Sequence, residues 1–269
     1  MKIGLIGYGR MGVSFIKGLL RNNVIDSKSI FIYDINEERL KIAEKNGLMT
    51  IKSLSELKNC NIIIIAIKPK DYNQLLDNIK NEINPNSIII SFAAGIRISY
   101  IESKLGENTK IVRIMPNICA SIGEAVFAIL FNKNVKEDEK LIINKIFENL
   151  GMVIPLENED LIDVITGLSG SGPAYFFLIM KYMVELGKKY GLKEDIARKL
   201  VAQTCKGAGL LVLQSKEDFD ELIKMVATPS GVTEEALKIM ISRGIKDIIY
   251  DSISTAIEKT KLIHSNISK

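Results

Sequence analysis

The first half of the chain alternates short apolar runs with amphipathic stretches. The apolar runs are continuous and rich in isoleucine, which is typical of parallel strands covered on both faces; they are Lys2–Ile6, Ile30–Tyr33, Ile62–Ile67, Ser87–Phe92 and Lys110–Met115. Helical patterns lie between them, at Met11–Arg21, Glu37–Asn46, Tyr72–Asn81 and Tyr100–Leu105. A last α/β piece comprises Val126–Leu130, Glu137–Leu150 and Val153–Leu156. This rhythm predicts a Rossmann-like, doubly wound parallel sheet in a domain over residues 1–160.

After about residue 160 the pattern becomes helical throughout. Pro173–Tyr190 is apolar almost all round, as expected of a helix buried on most sides. Further helices are predicted at Glu194–Gln214, Thr233–Ser242 and Ile245–His264. They form an all-helical domain over residues 161–269, with more apolar surface than about a hundred residues easily hide. The surplus favours a homodimer interface, and packing onto the first domain is the alternative.

Composition and charge narrow the class of protein. The 269 residues are 47% hydrophobic and 25% charged, a balance typical of globular proteins. The net charge of +4 comes from scattered residues, which argues against a nucleic-acid partner. The longest apolar run, Ile62–Ile67, is far shorter than the about 20 residues that span a membrane. With no signal-peptide pattern at the start, we expect a cytoplasmic protein.

Two residue types bear on the chemistry. The three cysteines are widely spaced, so we expect neither a disulfide framework nor a metal site. The single histidine, His264, lies near the C-terminus. Mechanisms built on a histidine base or a histidine-bound zinc ion are therefore disfavoured.

A glycine motif, Gly7-Tyr8-Gly9-Arg10-Met11-Gly12, follows the first strand and opens the first helix. In this context the first glycine permits a tight turn, the second lets the backbone approach a pyrophosphate, and the third lets helix and strand pack closely. The motif predicts dinucleotide binding; a purely structural turn is the alternative. The candidate cofactor-binding residues here are Ile6, Gly7, Tyr8, Gly9, Arg10, Met11 and Gly12.

Asp34 ends the second strand, 22 residues after Gly12. An acidic residue there accepts hydrogen bonds from the adenosine ribose and repels a 2′-phosphate, which favours NADH over NADPH. Arg39 lies one turn into the next helix and could bend back towards it. The alternative interpretation of Asp34 is a helix N-cap.

Other strands end in residues suited to the same edge of the sheet. Ligands of doubly wound sheets bind outside the carboxyl ends of the strands. Lys68 is a plausible contact for ribose or phosphate, and small residues after the fourth strand leave room for a nicotinamide ring. The candidates are Ala66, Ile67, Lys68, Pro69, Ala93, Ala94, Gly95 and Asn117.

Two segments of the second half stand out. Gly167–Tyr175 holds three glycines before a proline, which demands unusual backbone angles or close approach, as in a domain hinge or the wall of a cleft. Ala227–Leu237 contains Thr233 as a helix N-cap, after a loop whose backbone N–H groups suit a substrate carboxylate. Simple capping is the alternative role of Thr233.

Together these elements resemble the pyrroline-5-carboxylate reductase family over essentially the whole chain. The most specific match is Leu168–Tyr175, LSGSGPAY, followed by Ala202-Gln203-Thr204 and the loop Pro229–Thr233. Three departures are visible. Ser230 replaces a usual glycine, Ile118-Cys119 replaces Thr-Pro, and Asp34 stands where the family commonly has a small or basic residue that accepts NADP.

The resemblance implies an NAD(P)H-dependent oxidoreductase that reduces 1-pyrroline-5-carboxylate to L-proline, the last step of proline biosynthesis. It implies that Thr233 orients the imine nitrogen, that helices of two subunits interlock in a homodimer or a higher assembly of dimers, and that the substrate-binding residues are Val226, Thr228, Ser230, Gly231, Val232 and Thr233. Two alternatives stay open. A β-hydroxyacid dehydrogenase needs a basic residue early in the helical domain, where only Lys181 is offered, and a non-catalytic NAD-sensing regulator needs no substrate loop.

Overall fold

The computed structural model describes residues 1–267 and contains one eight-stranded sheet. The strands are β1 Ile3–Ile6, β2 Ile30–Tyr33, β3 Met49–Thr50, β4 Ile62–Ile65, β5 Ile88–Ser91, β6 Lys110–Met115, β7 Ala125–Phe131 and β8 Gly151–Pro155. Their order across the sheet is β3-β2-β1-β4-β5-β6-β7-β8. The first six follow the Rossmann order 3-2-1-4-5-6, so the predicted doubly wound fold is confirmed.

The parallel part of the sheet ends at β6. Strands β1 to β6 pair in parallel, whereas β7 runs antiparallel to β6, with Val112 opposite Phe131. The chain between β6 and β7 is residues 116–124 and contains only a 3-10 turn at Ile118–Ile122. A parallel crossover needs a dozen or more residues, so this short connection forces the strand to turn back. One antiparallel pairing, β6 with β7, therefore extends the predicted doubly wound sheet at this edge.

Helices cover both faces of the sheet because alternate strand residues point to opposite sides. They are α1 Arg10–Arg21, α2 Glu37–Lys45, α3 Tyr72–Ile79, α4 Ile98–Leu105 and α5 Glu137–Glu148. Ile62 and Ile64 belong to the core under α1, α2 and α5, while Ile63 and Ile65 belong to the core under α3 and α4. The continuous isoleucine run is therefore explained by burial on both faces.

The rest of the chain is helical, as predicted. Its helices are α6 Leu161–Ile165, α7 Gly172–Lys189, α8 Glu194–Gln214, α9 Phe219–Val226, α10 Val232–Ser242 and α11 Ile245–Ile267. A π-helical turn, Thr166–Gly170, joins α6 to α7. Gly191, at φ +93°, follows the end of α7, as the sequence predicts.

The chain forms two compact units. The first is residues 1–173 together with the chain from Thr255 to the end of α11, and the second is residues 174–254. The sequence-based boundary after residue 160 differs from this division, because α6, the π turn and the end of α11 group with the sheet.

The stretch Leu161–Lys189 qualifies, by length and composition alone, as a helix that could cross a membrane, and 22% of its most apolar window is buried within the chain. Polar and glycine residues interrupt this stretch, so its apolar residues do not form one continuous run. Length and composition do not separate a lipid-facing helix from one that packs on another protein subunit, since both need an apolar surface.

Candidate functional site

The predicted cofactor-binding residues lie at one edge of the sheet. The glycine motif follows β1, Asp34 follows β2, and the three other groups, Ala66–Pro69, Ala93–Gly95 and Asn117, follow β4, β5 and β6. These five strands are consecutive neighbours, in the order β2-β1-β4-β5-β6. With neighbouring strands about 4.8 Å apart, the edge from β2 to β6 spans about 19 Å, long enough for an extended dinucleotide.

The three glycines of the motif differ in what surrounds them. Gly7 has φ +99°, and a Cβ there would lie 2.7 Å from the carbonyl oxygen of Ala66. A Cβ on Gly12 would lie 2.2 Å from the carbonyl oxygen of Gly7. Above Gly9 the space is open, with only Arg39 Nη1 within 4 Å of a Cβ, at 3.9 Å. The first and third glycines shape the turn, and the second leaves a cradle in front of α1.

That cradle suits an anion. Gly9 caps α1 with no side-chain hydrogen bond to the first turn, and the first turn holds no acidic residue. Uncapped N–H groups and the helix dipole together favour a negatively charged group at this end of a helix. The residues present therefore fit the pyrophosphate of a dinucleotide.

Asp34 is held in place by protein donors. Its carboxylate, 3% exposed, accepts the backbone N–H of Tyr8 at 2.7 Å on Oδ2 and that of Asn36 at 2.9 Å on Oδ1. Arg39 Nη1 lies 3.3 Å from Oδ2. The cap of α2 is Asn36, whose side chain accepts the N–H of Glu38, so the alternative of Asp34 as N-cap is wrong.

Tyr8 has a different position from its neighbours in the motif. Its ring is buried, and its hydroxyl accepts a hydrogen bond from Asn46 at 3.5 Å. The side chain therefore braces the turn against the segment after α2. Only the backbone of Tyr8 belongs to the edge that the cofactor would meet.

The residues that follow β4 and β5 differ in how much space surrounds them. Lys68 is exposed, and the described residues 1–267 offer its ammonium group no hydrogen bond or ion pair. Gly95 has φ +71°, and a Cβ there would lie 2.7 Å from Cγ2 of Ile263, in α11. The sequence predicted a small residue here to leave room for a nicotinamide. In the structure the side of Gly95 faces the last helix instead, a contact that no local pattern indicates.

Two titratable side chains lie beside this edge of the sheet, the phenol of Tyr72 and the thiol of Cys119. Tyr72 is fully buried under β4 and β5, where its hydroxyl donates to Ile65 and pairs with Ser91 at 2.8 Å. Burial raises the pKa of Tyr72 well above its usual range. Burial also raises the pKa of the Cys119 thiol, next to the end of β6. Both groups are neutral at pH 7 and supply no base or thiolate nucleophile there.

The glycine segment before α7 is helical. Its glycines at 167, 170 and 172 have no positive φ, so the predicted unusual backbone angles are wrong. Ser171 N donates to the carbonyl of Thr166 at 2.9 Å, the i to i+5 bond of the π turn. Gly170 instead permits a close approach, since a Cβ there would lie 3.2 Å from Sδ of Met115. The missed helical character reflects the low helix propensity of glycine.

The predicted substrate loop lies in the second unit, between α9 and α10. Val226 ends α9 and is exposed, and Gly231 is the N-cap of α10. Thr233 therefore lies within the first turn, so its predicted N-cap position is wrong. No hydrogen bond of its hydroxyl is present among residues 1–267, so this hydroxyl does not cap α10.

The loop backbone is partly occupied by its own contacts. Gly231 N donates to the carbonyl of Thr228 at 3.0 Å, and Ser230 N donates to Glu234 Oε2 at 2.7 Å. Ser230 has φ +60°, a conformation that favours glycine. The two positions that follow, Val232 and Thr233, begin the helix with no side-chain cap. Their N–H groups are the donors this loop can offer to a carboxylate.

Comparison with family models covers both halves of the chain. The model described as pyrroline-5-carboxylate reductase dimerisation matches residues 159–263. The model described as NADP oxidoreductase coenzyme F420-dependent matches residues 2–95.

Whole-length relatives agree with the first of these models. The chain is 33% identical to a pyrroline-5-carboxylate reductase of Methanosarcina acetivorans, over 97% of each chain. It is 32% identical to pyrroline-5-carboxylate reductase 1 of Bacillus subtilis, over 100% of this chain and 91% of that one. The crystal structure of a Plasmodium falciparum pyrroline carboxylate reductase with NADP bound superposes with a TM-score of 0.91, at 30% identity and 98% coverage of both chains. This chain belongs to the pyrroline-5-carboxylate reductase family.

Proposed function

We propose that the carboxyl edge of the sheet binds NAD(P)H and that the loop before α10 binds the substrate. As a family member the chain is an oxidoreductase acting on a CH–NH bond, and it reduces 1-pyrroline-5-carboxylate to L-proline. The observation that carries the cofactor assignment is the open cradle at Gly9, where α1 begins with no side-chain cap. The bound nicotinamide would supply the hydride that the cyclic imine carbon accepts.

The chain's own residues then position the reactants. The N–H groups at the start of α1 hold the pyrophosphate, Lys68 neutralises charge beside it, and Asn117 faces the nicotinamide end of the edge. The other residues of the three segments, which run from Ile6 to Gly12, from Ala66 to Pro69 and from Ala93 to Gly95, shape this surface. No histidine is needed, because a protonated imine is already electrophilic.

In the second unit the substrate would meet a short set of donors. The backbone N–H groups of Val232 and Thr233 hold the carboxylate, and the Thr233 hydroxyl hydrogen-bonds the ring nitrogen. Thr228, Ser230, Gly231 and Val226 set the shape of the loop. The unpartnered Thr233 hydroxyl supports this role, since a capping threonine would have its hydroxyl engaged. The β-hydroxyacid dehydrogenase alternative loses support, because Lys181 is exposed and pairs with Glu185 at 3.7 Å.

The cofactor preference follows from Asp34. Two backbone N–H groups hold its buried carboxylate in place, where it would repel a 2′-phosphate and accept hydrogen bonds from a ribose. Arg39 offsets part of that charge at 3.3 Å, and its own side chain is 48% exposed. We therefore propose that NADH is the preferred cofactor. The positive charge of Arg39 would lower the ratio of kcat/KM with NADH to kcat/KM with NADPH.

Assembly is part of the proposed function. The chain forms a homo-oligomer through its dimerisation domain, and we propose a homodimer or a higher assembly of dimers in the cytoplasm. Large apolar side chains exposed on α7 and α8 supply the surface for this contact; they include Phe176, Phe177, Ile179, Leu186, Leu200 and Leu211.

The experiment is the reduction of pyrroline-5-carboxylate with NADH and NADPH side by side, in the wild type and two variants. Wild type should show the higher kcat/KM with NADH. Asp34→Ser should move the preference towards NADPH by about 1–3 kcal/mol, the scale of one buried polar discrimination. Arg39→Ala should instead widen the preference for NADH. A wild type that favours NADPH tenfold overturns the proposed preference, and no turnover with either cofactor overturns the proposed reaction.

A further inference from the structure

One face of β6 holds the segment that leads into the helical half. Arg113, Met115 and Asn117 alternate along the chain, so their side chains point to the same side. Buried Arg113 pairs with Glu159 at 2.8 Å and with Asp163 at 3.4 Å. Met115 Sδ lies 3.2 Å from where a Cβ would stand on Gly170, and Asn117 Nδ2 donates to Ser169 Oγ at 3.3 Å. Three successive contacts thus fix α6 and the π turn against the sheet.

The hydrogen bond from Asn117 leaves the proton of the Ser169 hydroxyl free to be donated. Ser169 Oγ accepts the hydrogen bond from Asn117, while its own proton has no acceptor among residues 1–267. Asn117 is itself fixed, because its Oδ1 accepts the N–H of Cys119 at 3.1 Å. The π turn, with its extra residue relative to an α-helical turn, carries Ser169 to this position. Such insertions are frequent at functional sites.

The position of Ser169 along the sheet identifies its ligand group. It lies beside the end of β6, four strands from Asp34 and three from the cradle at Gly9. A dinucleotide with its adenosine ribose at Asp34 and its pyrophosphate at Gly9 extends its nicotinamide towards β5 and β6. At β5 the side of Gly95 faces Ile263, and at the end of β6 Asn117 and Ser169 form a hydrogen-bonded pair of polar side chains.

We propose that the Ser169 hydroxyl, held by Asn117, donates a hydrogen bond to the carboxamide oxygen of the nicotinamide and so orients the ring. This makes Ser169 a binding residue for the cofactor that the sequence motifs do not assign. The inference rests on the proposed NAD(P)H binding. It explains why a serine stands in a π turn instead of the alanine or leucine that a regular helix prefers.

The test compares two ligands that differ only in the nicotinamide. Full-length wild type, Ser169→Ala and Ser121→Ala are titrated with NADH and with ADP-ribose, which lacks the ring. Ser121 is the matched control, because it is a serine in the 3-10 turn that follows Asn117 and its hydroxyl donates to the carbonyl of Ile118. Ser169→Ala should weaken NADH binding three- to tenfold, the scale of one neutral hydrogen bond, and leave ADP-ribose binding unchanged. Ser121→Ala should leave both unchanged, and Ser169→Thr should restore NADH binding.

The outcomes separate this inference from the proposed reaction. An equal loss of both ligands in Ser169→Ala, or no loss of either, overturns the inference. Unchanged ADP-ribose binding also shows that the variant is folded. If wild type binds NADH in this pattern but does not reduce pyrroline-5-carboxylate, the proposed reaction fails and the role of Ser169 stands.

Discussion

The two units bury their apolar side chains in different ways. The first has a core on each face of the sheet, with large side chains such as Phe15, Phe127 and Phe147 fully buried. In the second, residues 174–254, Ala197 is the only hydrophobic residue that is buried within the chain. Phe177, on α7, is 57% exposed. The first unit is complete within one chain, whereas the second supplies a surface for a partner.

The difference explains the apolar stretch Leu161–Lys189. A helix that packs on a second subunit has the same composition as a helix that faces lipid, because both lose contact with water. The family model for dimerisation covers the stretch, which accounts for its composition through subunit contact.

The largest effect is expected when a lysine replaces an exposed apolar side chain, once in each unit. Phe177→Lys should abolish assembly, because an unpaired ammonium would be buried against the partner. Leu141→Lys is the matched control on α5 of the first unit, where the side chain is 70% exposed, and should assemble normally. Sedimentation velocity measures both. A Phe177→Lys protein that sediments like the wild type would place the interface elsewhere.

The second unit should also contribute to the chemistry. Thr233→Ala should lower kcat about 100-fold, the scale expected when one positioning group is lost. Thr233→Ser keeps the hydroxyl and should retain most of the activity. Steady-state kinetics together with thermal unfolding test this; a variant of reduced stability with normal kcat would make Thr233 a structural residue.

Within the first unit, two glycines should separate stability from binding. Gly12→Ala places a Cβ 2.2 Å from the carbonyl oxygen of Gly7 and should cost about 1–3 kcal/mol of stability, the usual range for overpacking. Gly9→Ala meets no close atom and should keep the wild-type free energy of unfolding while NADH binding weakens. Urea denaturation and NADH titration measure the two effects. Equal effects of the two variants on both quantities would contradict the separation.

The smallest effect concerns backbone strain in the substrate loop. The first unit uses glycine or asparagine wherever φ is positive, whereas the second has Ser230 at φ +60°. Ser230→Gly should raise stability by about 0.5–1 kcal/mol, because relief of the left-handed conformation exceeds the added entropy of the unfolded chain. Ser215→Gly, at φ −81°, should lower stability instead. The same sign for both variants would show that Ser230 is not strained.

Local patterns were sufficient to predict much of this architecture. The apolar runs along the first 160 residues predicted seven of the eight strands, and the glycine motif predicted the turn in front of α1. Helix α9 was missed, although Asp218 and Glu221 carried its N-terminal signal, since the Asp218 side chain accepts the N–H of Glu221. The two-residue strand β3 was also missed, because it is too short to show a period.

Other features depend on residues far apart in sequence. The contact of Gly95 with Ile263, the hydrogen bond from Asn117 to Ser169 and the pairing of Arg113 with Asp163 join segments at least 50 positions apart. The helical state of the glycine segment also overrides its local preference, since packing against β6 favours it. No window of sequence contains these partners.

The sequence by itself determined the doubly wound sheet and the helical second half, and it predicted the edge where we propose that a dinucleotide binds, because hydrophobic period and glycine spacing act locally. Only the tertiary structure decided that Asp34 is held by two backbone N–H groups and Arg39, that Thr233 lies inside a helix with its hydroxyl unpartnered, and that Ser169 meets Asn117. The contacts of Asp34 with Tyr8 and of Ser169 with Asn117 join segments 26 and 52 positions apart, and folding brings them together through burial of apolar surface over the whole chain.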